Sequence, residues 1–188
     1  MTASQGTAAV AALLVALSLA PGAEAKERIQ SRTVESQGPL KVGGAAPAFA
    51  GFDLDGRMVS LRELLTPAKG PAAGAVVVSF FATWCVACKD HLPAIDRVAS
   101  QLKDQNVRVV LVAYGQKAEE VGPFLTGTGL ALPVLLDPFT KISARFGVDK
   151  ALPRTFVLDA KGTIRTIYVV EGDDFEQSLK GTVERALH

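Results

Sequence analysis

Residues 76–88 read Val-Val-Val-Ser-Phe-Phe-Ala-Thr-Trp-Cys-Val-Ala-Cys, and the character of the chain changes along this stretch. The apolar run over 76–81 is typical of a strand that is buried on both faces of a sheet. After Cys88 the apolar residues recur at helical spacing (Leu92, Ile95, Ala99 and Leu102), which predicts a helix over about 85–105. A Cys-x-x-C pair therefore lies where a buried strand passes into a helix.

The rest of the chain alternates strands with helices. Further strands are predicted over 107–114, 133–136, 154–158 and 163–170, and helices over 61–65, 117–127, 140–146 and 173–187, the last capped by Asp173. Residues 49–60 alternate around Asp55-Gly56, which indicates an early hairpin. This order predicts an α/β fold: a central mixed, mostly parallel sheet with helices on both faces and antiparallel strands at one edge.

A length of 188 residues, with 48% hydrophobic and 21% charged residues, predicts one packed domain. Residues 8–20 are apolar, but a helix of that length reaches only about 20 Å, and a bilayer core needs about 30 Å. Pro21-Gly22 and Ala23-Glu24-Ala25 follow, which predicts a signal peptide over 1–25, a flexible lead-in over 26–45 and the domain over 46–188. An uncleaved anchor or an Ala-rich tail is the alternative, since residues 1–7 contain no Lys or Arg.

Charge composition argues against several partners. Twenty Lys and Arg residues balance nineteen Asp and Glu residues, without a long run of either sign, so no nucleic-acid partner is expected. After signal cleavage no other segment is long and apolar enough to span a membrane. The sequence indicates nothing about the oligomeric state.

The two cysteines indicate redox chemistry. A bridge between Cys85 and Cys88 closes a very short loop and removes little chain entropy, so an exported protein gains little stability from it. Cys85 is expected to be exposed at the helix amino terminus, which favours its thiolate and makes it the attacking thiol, with Cys88 resolving. Half a zinc site is the alternative, but His91 could supply only a third ligand, so neither a metal nor a cofactor is expected.

Residues 80–89 resemble the active-site segment of the thioredoxin superfamily, most closely the TlpA/ResA-like extracytoplasmic branch. Pro93 is similar to the helix proline of the family. Residues 151–159 resemble the segment that carries its cis-proline, here Pro153, and residues 46–49 with Asp55-Gly56 resemble the added N-terminal hairpin. The resemblance implies a thioredoxin-like fold over 46–188.

The resemblance also implies a function. The chain is expected to be a periplasmic or otherwise extracytoplasmic thiol-disulfide oxidoreductase. It would exchange disulfides with protein substrates, as a reductase that receives electrons from a membrane thiol reductant, with cytochrome c maturation as one possible use.

Ser79 and His91 near the dithiol depart from the family pattern, and His91 and Trp84 leave alternatives open. Ser79 stands where thioredoxins carry a buried acid, and His91 stands where the branch often carries Glu. His91 shares a helical face with Cys88 and is either a proton relay to that thiol or a neutral core histidine. Trp84 either shields the dithiol and shapes the docking surface or packs in the core.

Two rival functions use the same fold. A peroxiredoxin-like peroxidase would need Pro at position 78 and Thr or Ser at position 82, and the chain has Val78 and Ala82. A metal-binding chaperone would need a distal histidine, and the only histidine besides His91 is the terminal His188.

Overall fold

The computed structural model describes residues 29–188, so the predicted signal peptide over 1–25 lies outside the described residues. The strands in chain order are β1 Arg32–Val34, β2 Ser36–Gln37, β3 Leu40–Lys41, β4 Ala50–Phe52, β5 Met58–Ser60, β6 Ala75–Phe81, β7 Val107–Tyr114, β8 Val134–Asp137, β9 Arg154–Asp159 and β10 Ile164–Val170. The helices are α1 Leu61–Leu65, α2 Val86–Gln101, α3 Ala118–Thr128, α4 Lys141–Arg145 and α5 Phe175–Ala186, and a 3₁₀ turn, Lys103–Gln105, follows α2.

Six strands form the central sheet in the order β1-β10-β9-β6-β7-β8. Strands β6, β7 and β8 are parallel, whereas β9 is antiparallel to both β6 and β10. The predicted mixed sheet is therefore confirmed. Because the carboxyl ends of parallel strands meet at one edge, the residues after Phe81, Tyr114 and Asp137 lie along the same border of the sheet.

Helices cover both faces, as predicted. Successive side chains of a strand point to opposite faces, so Val77 and Phe81 of β6 pack with α2, α3 and α5, whereas Val76 and Val78 pack with α1 and α4. All seven residues of β6 are buried, which explains its uninterrupted apolar sequence.

The early hairpin is also confirmed. Strands β4 and β5 pair from Ala50 with Ser60 to Phe52 with Met58 and form a separate two-stranded sheet. Gly56 has a φ of +74°, a turn conformation in which glycine carries no steric penalty.

Residues 32–41, expected to belong to a flexible lead-in, contain three short strands. Strand β1 pairs with β10, with Arg32 opposite Val170, and so forms the edge of the central sheet. Strands of two or three residues have no measurable alternation, and the partner of β1 lies at the other end of the chain. The local sequence therefore does not indicate them.

Two helix boundaries differ from the prediction. Helix α2 ends at Gln101 rather than near 105, because the chain tightens there into the 3₁₀ turn. Helix α5 begins at Phe175 and its N-cap is Asp174 rather than Asp173. The Asp174 carboxylate makes no helix cap; it accepts the backbone N–H of Ser31 at 2.6 Å, and this bond lowers the Asp174 pKa.

No helix among residues 29–188 combines the length and the hydropathy that a bilayer span requires.

The close packing of residues 29–31 against position 172 requires a glycine there. A Cβ added there would collide with the backbone carbonyl of Ile29 and with the carbonyl carbon of Gln30. We therefore expect Gly172→Ala to displace residues 29–31 and to lower the free energy of unfolding by about 1–3 kcal/mol, measured by urea denaturation. Limited proteolysis should then cut the N-terminal segment sooner than in the wild type.

Gly122→Ala is the matched control, because Gly122 lies inside α3 and its added Cβ would meet no atom within 4 Å. That change should raise stability by up to about 1 kcal/mol. Equal unfolding midpoints for both variants would contradict the packing of residues 29–31 against Gly172.

Candidate active site

The two cysteines lie where β6 passes into α2, and they form a disulfide. Cys85 is the N-cap residue of α2, and its Sγ accepts the backbone N–H of Cys88 at 3.2 Å. A helix amino terminus offers unpaired N–H donors and partial positive charge, both of which favour a thiolate over a thiol. The sequence-predicted attacking position therefore has the electrostatics that it needs.

The exposure expected for Cys85 is wrong for this disulfide form. Cys85 is 4% exposed and Cys88 1% exposed, and both belong to the core cluster under α2. The Cys85 N–H donates to the Ala82 carbonyl at 3.0 Å, which closes a tight turn directly before α2. Trp84 lies on the surface instead of in the core, with 53% of its area exposed.

Gln116 fixes the loop that leads to the dithiol, and its only sequence signal is its position shortly after β7, at the active-site border of the sheet. Its Oε1 accepts the Thr83 N–H at 2.7 Å, and its Nε2 donates to the Thr83 hydroxyl, also at 2.7 Å. Gln116 is buried, so water competes little for these bonds. The backbone and the side chain of Thr83, just before Trp84, are thereby both held by one amide group.

The Leu152–Pro153 peptide bond is cis, as the resemblance implies. Strand β9 begins directly after it, and Arg154 lies opposite Phe80 of β6. Pro153 is therefore brought beside the end of β6, shortly before the cysteines.

His91 is half-buried and is only partly directed inward. Its Nδ1 lies 2.6 Å from the Ala87 carbonyl, which can only accept, so Nδ1 carries the proton. The ring edge packs against Phe175, with the ring centroids 5.6 Å apart. Only Nε2 remains to accept a proton, an arrangement compatible with either role expected for His91.

A buried row of polar side chains crosses three strands on the face that α2 covers. Ser79 of β6 and Thr155 of β9 are opposite one another, and their hydroxyl oxygens are 2.7 Å apart. The Thr155 hydroxyl donates to Oε1 of Glu171, the residue after β10, at 2.5 Å. We call Ser79, Thr155 and Glu171 the buried polar row.

Glu171 is an acid in an interior position. It is 5% exposed, and burial raises its pKa to about 7, although the Thr155 hydrogen bond and the positive charge of Arg154 oppose that rise. Arg154 is also buried, and its Nη1 donates to the Val169 carbonyl at 2.9 Å. The only sequence signal for Glu171 was an acid continuing an apolar run, a signal too weak to predict a site.

Residues 29–188 contain no group of three or more His, Cys, Asp and Glu side chains arranged to hold a metal ion.

Comparison with known proteins agrees with this geometry. The model of the AhpC/TSA family matches residues 42–167, a range that includes both cysteines and the cis-proline. The chain is 27% identical to the thiol-disulfide oxidoreductase ResA of Bacillus thuringiensis (strain Al Hakam) over 146 residues, which are 78% of this chain and 79% of that protein. It is 31% identical to ResA of Bacillus subtilis (strain 168), with 74% of this chain and 73% of that protein covered.

Among solved structures, the chain is similar to a protein assigned as the thiol:disulfide interchange protein DsbE of Chlorobium tepidum. The TM-score is 0.69 at 25% identity, and the match covers 79% of this chain and 99% of that one. The thioredoxin-like fold expected from the sequence is thereby confirmed.

Glu171 should make stability depend on pH. A carboxyl whose pKa is about 7 when folded and about 4.5 when unfolded binds more protons in the folded state, so the cost of burying its charge disappears at low pH. The cost grows as pH rises through this window and levels off above it. Glu171→Gln removes the cost, so the variant should gain up to about 3 kcal/mol over the wild type at about pH 8 and little at about pH 4, measured by urea denaturation.

Glu184→Gln, the same substitution at an exposed position of α5, is the control and should show no such pH-dependent difference. A Glu171→Gln variant that differs from the wild type by the same amount at both pH values would show that the folded-state pKa is ordinary.

Proposed function

Because the chain belongs to the AhpC/TSA family and is similar to ResA and DsbE proteins over most of its length, we propose that it is an exported thiol-disulfide oxidoreductase that reduces disulfides of protein substrates. The observation that carries the proposal is the disulfide at the amino end of α2, with Cys85 as the N-cap and its sulfur accepting an N–H. Its two sulfurs can alternate between dithiol and disulfide without any cofactor.

The exchange proceeds in two steps. The Cys85 thiolate attacks one sulfur of a substrate disulfide, which forms a mixed disulfide and releases the first substrate thiolate. Cys88 then loses its proton, and its thiolate attacks the Cys85 sulfur, closing the Cys85–Cys88 bond and releasing the second substrate thiolate. Two electrons pass to the substrate, and a membrane thiol reductant restores the dithiol.

Exposed apolar side chains supply a docking surface beside the dithiol. Trp84 and Val86, next to Cys85, are 53% and 75% exposed, and Phe139 is 76% exposed after β8 on the same border of the sheet. An unfolded or extended substrate segment can bury these groups, and Pro153, directly before β9, lies near the end of β6. Trp84 and Pro153 are thus proposed to guide the substrate rather than to react.

Export is supported by the sequence of residues 8–25, which has the apolar stretch and the small-residue cleavage pattern of a signal peptide. The mature protein would then act in the periplasm or another extracytoplasmic space. Oxidants there continually form disulfides, so a reductase needs electrons brought to it across the membrane.

A peroxidase mechanism has less support. Ala82 offers no hydroxyl, and Val78 packs on the face of the sheet opposite the cysteines. The direct comparison is insulin reduction beside hydrogen peroxide consumption, each with a chemical thiol as electron donor. The proposal expects insulin reduction to be much the faster; rapid peroxide turnover with slow insulin reduction would favour the peroxidase.

The roles of the two cysteines give a sharper prediction. Cys85→Ser should abolish exchange, because the attacking sulfur is gone, whereas Cys88→Ser should accumulate mixed disulfides that nothing resolves. Non-reducing gel electrophoresis after incubation with an oxidised protein substrate measures the trapped species.

The two serine variants serve as controls for each other, because each retains one thiol and removes the other. Trapping by Cys85→Ser but not by Cys88→Ser would reverse the assignment of attacker and resolver.

A further inference from the structure

Resolution of the mixed disulfide requires a proton acceptor that the exchange chemistry does not itself provide. Cys88 is almost completely buried, which disfavours its thiolate, and the Ser79 and Thr155 hydroxyls are not bases near neutral pH. Glu171 is a buried carboxyl with no part in the exchange described above. We propose, on the basis of the proposed function, that Glu171 takes up the proton of the Cys88 thiol through the hydroxyls of Thr155 and Ser79.

The buried polar row and Cys88 lie on the same face of the sheet. Ser79 stands between Val77 and Phe81 along β6, and Thr155 precedes Val157 by two positions along β9. Val77, Phe81, Val157 and Cys88 all belong to the core cluster beneath α2. Side chains two residues apart on a strand share a face, so the row enters this cluster from the side of the sheet.

The hydrogen bonds of the row have one consistent direction. An ionised Glu171 only accepts, so Thr155 donates to it, and the Thr155 oxygen then accepts the Ser79 hydroxyl. This leaves the lone pairs of the Ser79 oxygen free for a donor on the α2 side. The row is thus ordered to pass a proton toward Glu171.

The carboxylate has a physical reason to accept that proton. Its second oxygen, Oε2, is buried and has no hydrogen-bond partner among the described residues, a costly state for an ionised group. Neutralising Glu171 removes this cost. Arg154 limits the effect, because its positive charge favours the carboxylate and so keeps Glu171 able to ionise near neutral pH.

The proton transfer balances. The Cys88 proton moves to Ser79, the Ser79 proton to Thr155 and the Thr155 proton to Glu171, which leaves a Cys88 thiolate and a neutral carboxyl. The thiolate attacks the Cys85 sulfur, and the second substrate sulfur leaves as a thiolate. When the disulfide is next reduced, the new Cys88 thiolate recovers the proton along the same row.

Other charged and titratable groups lie on the elements around Glu171. They are Arg154 on β9, Arg32 on β1, Asp173 and Asp174 before α5, and His91 on α2. Arg154 is the one whose charge acts on the Glu171 pKa. The Asp174 carboxylate is bound to the Ser31 N–H, and Nδ1 of His91 is bound to the Ala87 carbonyl. His91 is nevertheless the competing acceptor, through Nε2, and the test must separate the two.

The experiment follows the two exchange steps separately. Reduced protein is mixed in a stopped-flow instrument with excess 5,5′-dithiobis(2-nitrobenzoate), whose released thiolate is coloured. The first equivalent reports attack by Cys85, at a rate that depends on reagent concentration; the second reports resolution by Cys88, at a rate that does not.

We expect the wild-type resolution rate to rise with pH through an inflection near 7, where Glu171 becomes ionised and able to accept. Glu171→Gln should lose this inflection and slow resolution by about tenfold or more, with the first phase unchanged. Thr155→Val keeps the carboxyl but breaks the row and should act in the same way. Glu184→Gln on the surface of α5 is the control and should match the wild type in both phases.

Either of two results would overturn the Glu171 proposal and leave the oxidoreductase function intact. One is resolution by Glu171→Gln at the wild-type rate and pH profile; the other is loss of the inflection in His91→Ala while Glu171→Gln retains it. A wild type that releases no coloured thiolate would overturn the oxidoreductase function itself and the proposal with it. Thermal melting of each variant at the assay pH confirms that the measured chains are folded.

Discussion

The active site depends on the complete burial of β6 between a parallel and an antiparallel neighbour. Strand β7 continues the sheet on one side and brings Gln116 to the end of β6, where it holds Thr83. Strand β9 runs the other way on the opposite side, so it begins where β6 ends and brings Pro153 to the cysteines. A single ladder register thus sets the positions of the dithiol, its loop and the cis-proline, because a slip by one residue would turn every β6 side chain to the wrong face.

Features that are local in sequence could be predicted, and those that depend on distant pairing could not. The strand over 76–81, the helix after Cys88 and the hairpin around Gly56 follow from periodicity and turn chemistry. The cysteines and Pro153 follow from a motif. The edge strand β1 does not, because it is three residues long and the contact that fixes it, Ser31 with Asp174, joins residues 143 positions apart. Burial of Cys85 was not predicted and the position of Trp84 was left open between surface and core, since both depend on how one tight turn is folded.

In the proposed proton route, Glu171 supplies the acid that Ser79 does not provide on β6. A carboxylate at position 79 would lie in the middle of β6, among apolar side chains and opposite the Thr155 hydroxyl, and its charge would be costly to bury there. Glu171 lies instead directly after β10, near Arg154. The hydroxyls of Thr155 and Ser79 connect its carboxylate to β6. Buried acids usually reduce stability, and their retention is typical of sites where a proton must be held and released.

The contact between the N-terminal segment and the end of β10 has a consequence for the order of folding. Gly172 donates its N–H to the Ser31 hydroxyl, and Asp173 donates its N–H to the Ile29 carbonyl. The first described residues therefore pack against the chain directly after Glu171. These partners are among the earliest and the latest parts of the domain to be synthesised, and the edge strand cannot close until both are present. A chain still emerging can therefore carry an intact Cys-x-x-C pair while Glu171 remains in water with the acidity of a free glutamate. On the proton route proposed above, full reactivity of the resolving thiol then requires the finished domain.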